Sequence, residues 1–164
     1  MFGLFKKRDI NNTAKTIVQS TYDLASNFAN DQMNYSNYNL KKDESLSILL
    51  EMVCVYVSSS IPILEQQNYK LNEIDKILEY VSYFMEEIFI KHYHISDFTA
   101  KYMLDLLNQR HQTYLFTLNH GTIYDLGKAI LFFLDNHHEM DEYSTGGLAQ
   151  EYIDSQELLM TLLK

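Results

Sequence analysis

Tryptophan is missing from these 164 residues, and there are only one Cys, one Pro and five Gly. Each scarcity excludes something. A lone thiol, Cys54, makes no intramolecular bridge, so a disulfide scaffold is out and a reducing, cytoplasmic setting is the simpler expectation. Few Gly and Pro mean few tight turns, which argues against a many-stranded sandwich or barrel and for long helices. Without Trp the usual tetratricopeptide pattern is absent, and no segment repeats recognisably. Long apolar runs are lacking too: the two longest stretches, Ile48 to Val57 and Ala129 to Leu134, are too short to span a bilayer. At the N-terminus Phe2, Leu4 and Phe5 come before Lys6, Lys7 and Arg8, the reverse of the order in a secretory signal.

What is present is an ordinary globular composition, 46% hydrophobic and 21% charged, with thirteen Tyr and nine Phe to fill a core or an interface. A single domain over 1–164 is expected, with 1–12 as a flexible N-terminal arm. The net charge of -9 removes general nucleic-acid binding, which needs a basic face. That charge is uneven. Residues 1–42 carry Lys6, Lys7, Arg8, Lys15, Lys41 and Lys42 against Asp9, Asp23 and Asp31. Between Ala129 and Leu163 stand Asp135, Glu139, Asp141, Glu142, Glu151, Asp154 and Glu157, with no Lys or Arg.

Apolar periodicity predicts an all-α bundle of about five to seven helices. A first helix runs from about Thr13 to Asn30 on Ile17, Val18, Tyr22, Leu24, Ala25 and Phe28, and an Asn-rich connector follows over 32–40. A second opens at Asp43 or Ser45 and is apolar on many sides, which places it centrally; Val53, Val55 and Val57 also permit a buried strand, and Pro62 should end or kink the element. Leu71 to Phe89 has the cleanest helical period. Ser96 with Asp97 offers the cap of a fourth helix, carried by Phe98, Tyr102 and Leu106 and extended by Tyr114, Leu115 and Leu118 to a stop at His120-Gly121. Thr122 with Asp125 resembles a capping box opening a buried helix on Ile123, Leu126, Ile130 and Leu134. A polar loop, 136–147, ends in Gly146-Gly147, and a last helix spans Leu148 to Leu163.

No chemistry-bearing motif survives a check of spacing. Gly121 to Lys128 has five residues between its glycines and no Ser or Thr after the Lys, so it is not a phosphate-binding loop. Ser58, Ser59 and Ser60 have no base placed to activate them. His92 and His94 suit a helix end, and a His120–Asp125 pair is a spacing that helical iron proteins also use. Three functional readings stand. The first is a non-catalytic inhibitor, immunity or adaptor-type domain that neutralises a protein with a basic surface through Asp135, Glu139, Asp141, Glu142 and Tyr143; it needs no cofactor. The second is a metal-binding helical protein or metal-dependent enzyme using His137, His138, Asp135 and Glu142. The third is a self-associating regulatory domain in which unused Tyr and Phe stripes form a homodimer seam.

Overall fold

From Glu51 to Ile61 every side chain is buried, so this stretch has no solvent face and no period. It is the middle of a helix. The computed structural model describes residues 9–35, 45–94, 99–135 and 142–163 and contains, among them, six α-helices and no strand. They are α1 (Ile10–Tyr35), α2 (Ser45–Gln66), α3 (Leu71–Tyr93), α4 (Ala100–His120), α5 (Ile123–Asp135) and α6 (Glu142–Leu162), packed as an all-α compact bundle. α2 touches all five others, which is why its valines are helical despite their strand preference. Pro62 lies inside it without ending it, since the helix continues to Gln66. An interior proline costs roughly 3 kcal/mol, which burial of one or two large aliphatic side chains offsets at about 1.5–3 kcal/mol each. Leu46 to Gln66 is long and apolar enough to cross a membrane by length and composition, a property its shorter apolar core alone does not have, but most of it is buried by the other helices.

Local signals set most of the helix ends. Asp9, not Thr13, opens α1: its carboxylate accepts from the Asn12 amide at 3.0 Å and its carbonyl from Thr13 at 2.9 Å. Residues 10–12 are therefore helical rather than part of an arm, and α1 also runs through 31–35, into the expected connector. Asn68 and His94 adopt left-handed backbone (φ 59° and 54°) after α2 and α3. Thr99, rather than Ser96, caps α4, its hydroxyl accepting from the Tyr102 amide at 3.1 Å; Ser96, Asp97 and Phe98 lie outside the described residues. At α5 the expected box forms, with the Thr122 amide donating to Asp125 Oδ2 at 2.7 Å and the Asp125 amide to Thr122 Oγ1 at 3.3 Å.

Cross-links fix the helix directions. Tyr56 Oη donates to Glu151 at 3.1 Å, Ser59 and Ser155 hydroxyls lie 2.7 Å apart, and Gln67 Nε2 donates to the Leu163 carbonyl at 3.2 Å, so α2 and α6 run parallel. Ser59 and Ser60 also bond the carbonyls of Tyr56 and Val57, which accounts for two hydroxyls of the serine run as structural. Lys15 sits over the Phe84 ring and Tyr22 bonds Tyr93, so α1 and α3 are parallel as well.

α6 begins six residues earlier than its apolar pattern suggests, taking Gly146-Gly147 inside the helix (Glu142 against Leu148). Close packing against α5 explains this. A Cβ on Gly127 would stand 1.8 Å from the Thr145 carbonyl oxygen, and one on Gly146 would touch the Tyr124 ring at 3.7 Å. Gly127 is thus a helix–helix contact residue and no part of a phosphate loop. Gly127→Ala should therefore destabilise the protein by about 1–3 kcal/mol even though Ala is the better helix former by about 1 kcal/mol; urea unfolding checks this, and a stabilised variant would contradict the close approach.

Candidate functional site

The expected acidic and histidine sites centre on the junction of α5 and α6. Asp135 ends α5 and Glu142 opens α6 with Tyr143 beside it, so the two helix ends flank this junction. His137, His138, Glu139 and Asp141 lie outside the described residues. Among the described residues no group of three or more His, Cys, Asp or Glu side chains could hold a metal ion. His120 and Asp125 are not brought together. The His120 ring stacks on Phe116 at 4.4 Å with Nδ1 3.0 Å from the Phe116 carbonyl, while Asp125 is taken by the Thr122 cap, whose backbone hydrogen bond above all holds its carboxyl below the usual range. His92 and His94 are exposed at the end of α3, as helix-end residues.

A polar centre that the sequence did not announce lies where α2 meets α4. Glu51 on α2 and Arg110 on α4 form a bidentate ion pair with both N–O distances at 2.6 Å. The back of the guanidinium lies 3.7 Å from the Phe133 ring centroid, joining α5 to the pair. Burial works against the charge on Arg110, but the two Glu51 bonds outweigh it and raise its pKa above the ordinary value. Around it Tyr114 packs edge-on against Phe133 and Tyr152. Burial pushes the Cys54 thiol and the Tyr114 phenol well up, and Tyr152 to about 12. The cluster therefore holds a protonated thiol, protonated phenols and a neutralised ion pair. Neither the thiol nor the phenols are nucleophiles at neutral pH, and the ion pair ties α2 to α4.

The surface offers more. From Leu115 to Tyr124 the chain turns from α4 into α5, and Leu115, Phe116, Leu118, Ile123 and Tyr124 are all exposed, Phe116 by 64% and Tyr124 by 52%. Leu115, Leu118 and Ile123 carry the apolar period of their helices, but only Tyr114 of that extension reaches the core. Ten residues of chain thus present five large apolar side chains to solvent. Tyr124 lies next to Gly146, so the corner adjoins the first turns of α6.

No family model matches this chain, and neither the curated proteins nor the solved structures contain a match to it.

The ion pair yields a test. Glu51→Ala leaves the partly buried Arg110 without its partner and should cost about 2–4 kcal/mol in urea unfolding, whereas Glu51→Leu with Arg110→Met should lose markedly less. Equal losses in the two would show that the carboxylate does not offset the charge. A second test concerns pH. His111 is half-buried with Nδ1 unpartnered, and desolvation lowers its pKa below 6.5, although Glu65 opposes this. The unfolded chain then takes up a proton before the folded one, so this residue's stabilisation is complete above about pH 6.5 and declines as pH falls toward the folded value. Between pH 7 and pH 5 the stability of His111→Gln should fall less steeply than that of the wild type.

Proposed function

We propose that this chain is a non-catalytic, protein-binding helical domain that docks its partner on the α4–α5 corner and steers it with the acids of residues 125–157. The carrying observation is the exposed apolar run Leu115, Phe116, Leu118, Ile123 and Tyr124. Aromatic anchors within an apolar centre, rimmed by charge, are the usual composition of a binding surface. The chain beyond the corner is acidic: Asp154 and Glu157 are exposed on α6, the stretch from Ala129 to Leu163 has no Lys or Arg, and Lys128 before it is paired with Asp125 at 3.7 Å. An interface of about 800 Å² per partner is some 30 Å across, while α5 is only about 20 Å long, so one partner spans both the corner and the acids near Asp135 and Glu142. The partner is accordingly a protein with an apolar recess inside a basic surface, as an inhibitor or immunity-type protein would meet. Asp135, Glu139, Asp141 and Glu142 supply the steering charge of that surface, with Tyr143 as a contact residue beside them.

The test uses the full chain as bait in an extract of the source cell, with a photo-crosslinking residue at position 116 or at position 83. Capture at 116 and not at 83, lost on Phe116→Glu with the helical circular dichroism unchanged, is the expected outcome. With the captured partner in hand, Glu139→Lys with Glu142→Lys should lower the association rate by about tenfold at low salt and flatten its salt dependence. Capture that survives Phe116→Glu would overturn the assignment of the corner. A crosslinked homodimer at 116 would replace the foreign partner with a second copy.

A further inference from the structure

On other helices, away from the α4–α5 corner, α1 and α3 enclose an open groove of about 310 Å³. Its floor is apolar, made by Val18 of α1 and by Phe84 and Ile88 of α3. Its rim is not. Lys15, Lys91 and His92 line it, with Glu87 as the one acidic lining residue, in a protein whose net charge is -9. Lys15 reaches over the Phe84 ring, 5.7 Å from Nζ to the centroid, and makes no ion pair among the described residues. Lys91 keeps a loose 3.7 Å contact to Glu87, which also accepts from Tyr83 Oη at 3.3 Å. The Gln19 amide donor is engaged by Asp23, at 2.9 and 3.0 Å, so the lining groups left to bind an anion are the Lys15 ammonium and, beyond its long Glu87 contact, that of Lys91. Lys91 and His92 occupy the last turn of α3, where the negative end of the helix dipole favours cations.

We infer that this groove binds a small organic carboxylate carrying an apolar body. The volume is at the lower end for ligand pockets, which suits a molecule of fatty-acid or aryl-acid size rather than a nucleotide. The apolar body would cover Phe84, Val18 and Ile88. The carboxylate would sit between Lys15 and Lys91, giving Lys15 a counter-charge and exchanging the long Glu87 contact of Lys91 for a shorter, charge-assisted one. Ammonium groups spaced across an apolar floor select for both parts of such a ligand. A bare anion lacks the body, and an alcohol of the same length lacks the charge.

The probes are octanoate, octanol, acetate and inorganic phosphate, titrated into the full-length protein and followed by amide chemical shifts. Octanoate should shift the amides of Lys15, Val18, Phe84, Ile88 and Lys91 saturably, with an affinity at least about tenfold above that of each of the other three. Added salt should weaken it. Lys15→Gln with Lys91→Gln should lower octanoate affinity by about tenfold or more and leave octanol unchanged, while Lys76→Gln, on the exposed side of α3, leaves both unchanged. Absence of saturable shifts in the groove would overturn the inference. So would acetate or phosphate binding as tightly as octanoate, or octanol binding equally well.

Discussion

Everything in this bundle is arranged around the need to cover α2. A helix with an apolar stripe needs one neighbour, but a helix buried from Glu51 to Ile61 on every side needs a ring of them. α1 and α3 lie parallel to each other beside it, α4 and α5 cover it through Arg110 and its neighbours, and α6 lies along it in the same direction. The crossing of α5 and α6 is set by the same demand. Two helices bring backbone to backbone only where a side chain is absent, and Gly127 supplies that absence opposite Thr145.

The ion pair is the complementary constraint. A chain with twenty-two acidic residues buries one of them, Glu51, in its central helix, and answers it with Arg110, one of only two arginines. A lysine would offer a point charge; the guanidinium plane meets both carboxylate oxygens and still presents a face to Phe133. Apolar packing tolerates a slide of one helix along another by a fraction of a turn. A bidentate pair does not, and so it fixes how α4 lies across α2.

The sequence was legible where burial repeats with the helical period and where polar caps are local. Leu71 to Phe89, the Thr122–Asp125 box and the stop at His120-Gly121 follow from a few neighbouring residues and appear as read. Legibility failed where the deciding partner is distant. Gly146-Gly147 looks like a loop unless Tyr124 is known to lie beside it. Ile123, Leu115 and Tyr102 look like core because hydropathy does not record which turn of a helix extends past its neighbours. Glu51 and Arg110 are 59 residues apart, and no pattern in either helix links them. Of the residues expected to form an acidic surface, Asp135 ends α5 and Glu142 and Tyr143 open α6.

The links between α2 and α6 join residues 95 or 96 positions apart, Tyr56 to Glu151 and Ser59 to Ser155. During synthesis at about 5–20 residues per second, roughly 5–20 s pass between the two halves of each link. For that interval the most deeply buried helix of the chain exists without the helix that will lie along it. α1 is made before it and α3, α4 and α5 after it, so four of its five neighbours precede α6 along the chain. The order of helices along the chain is thus also a schedule for hiding α2.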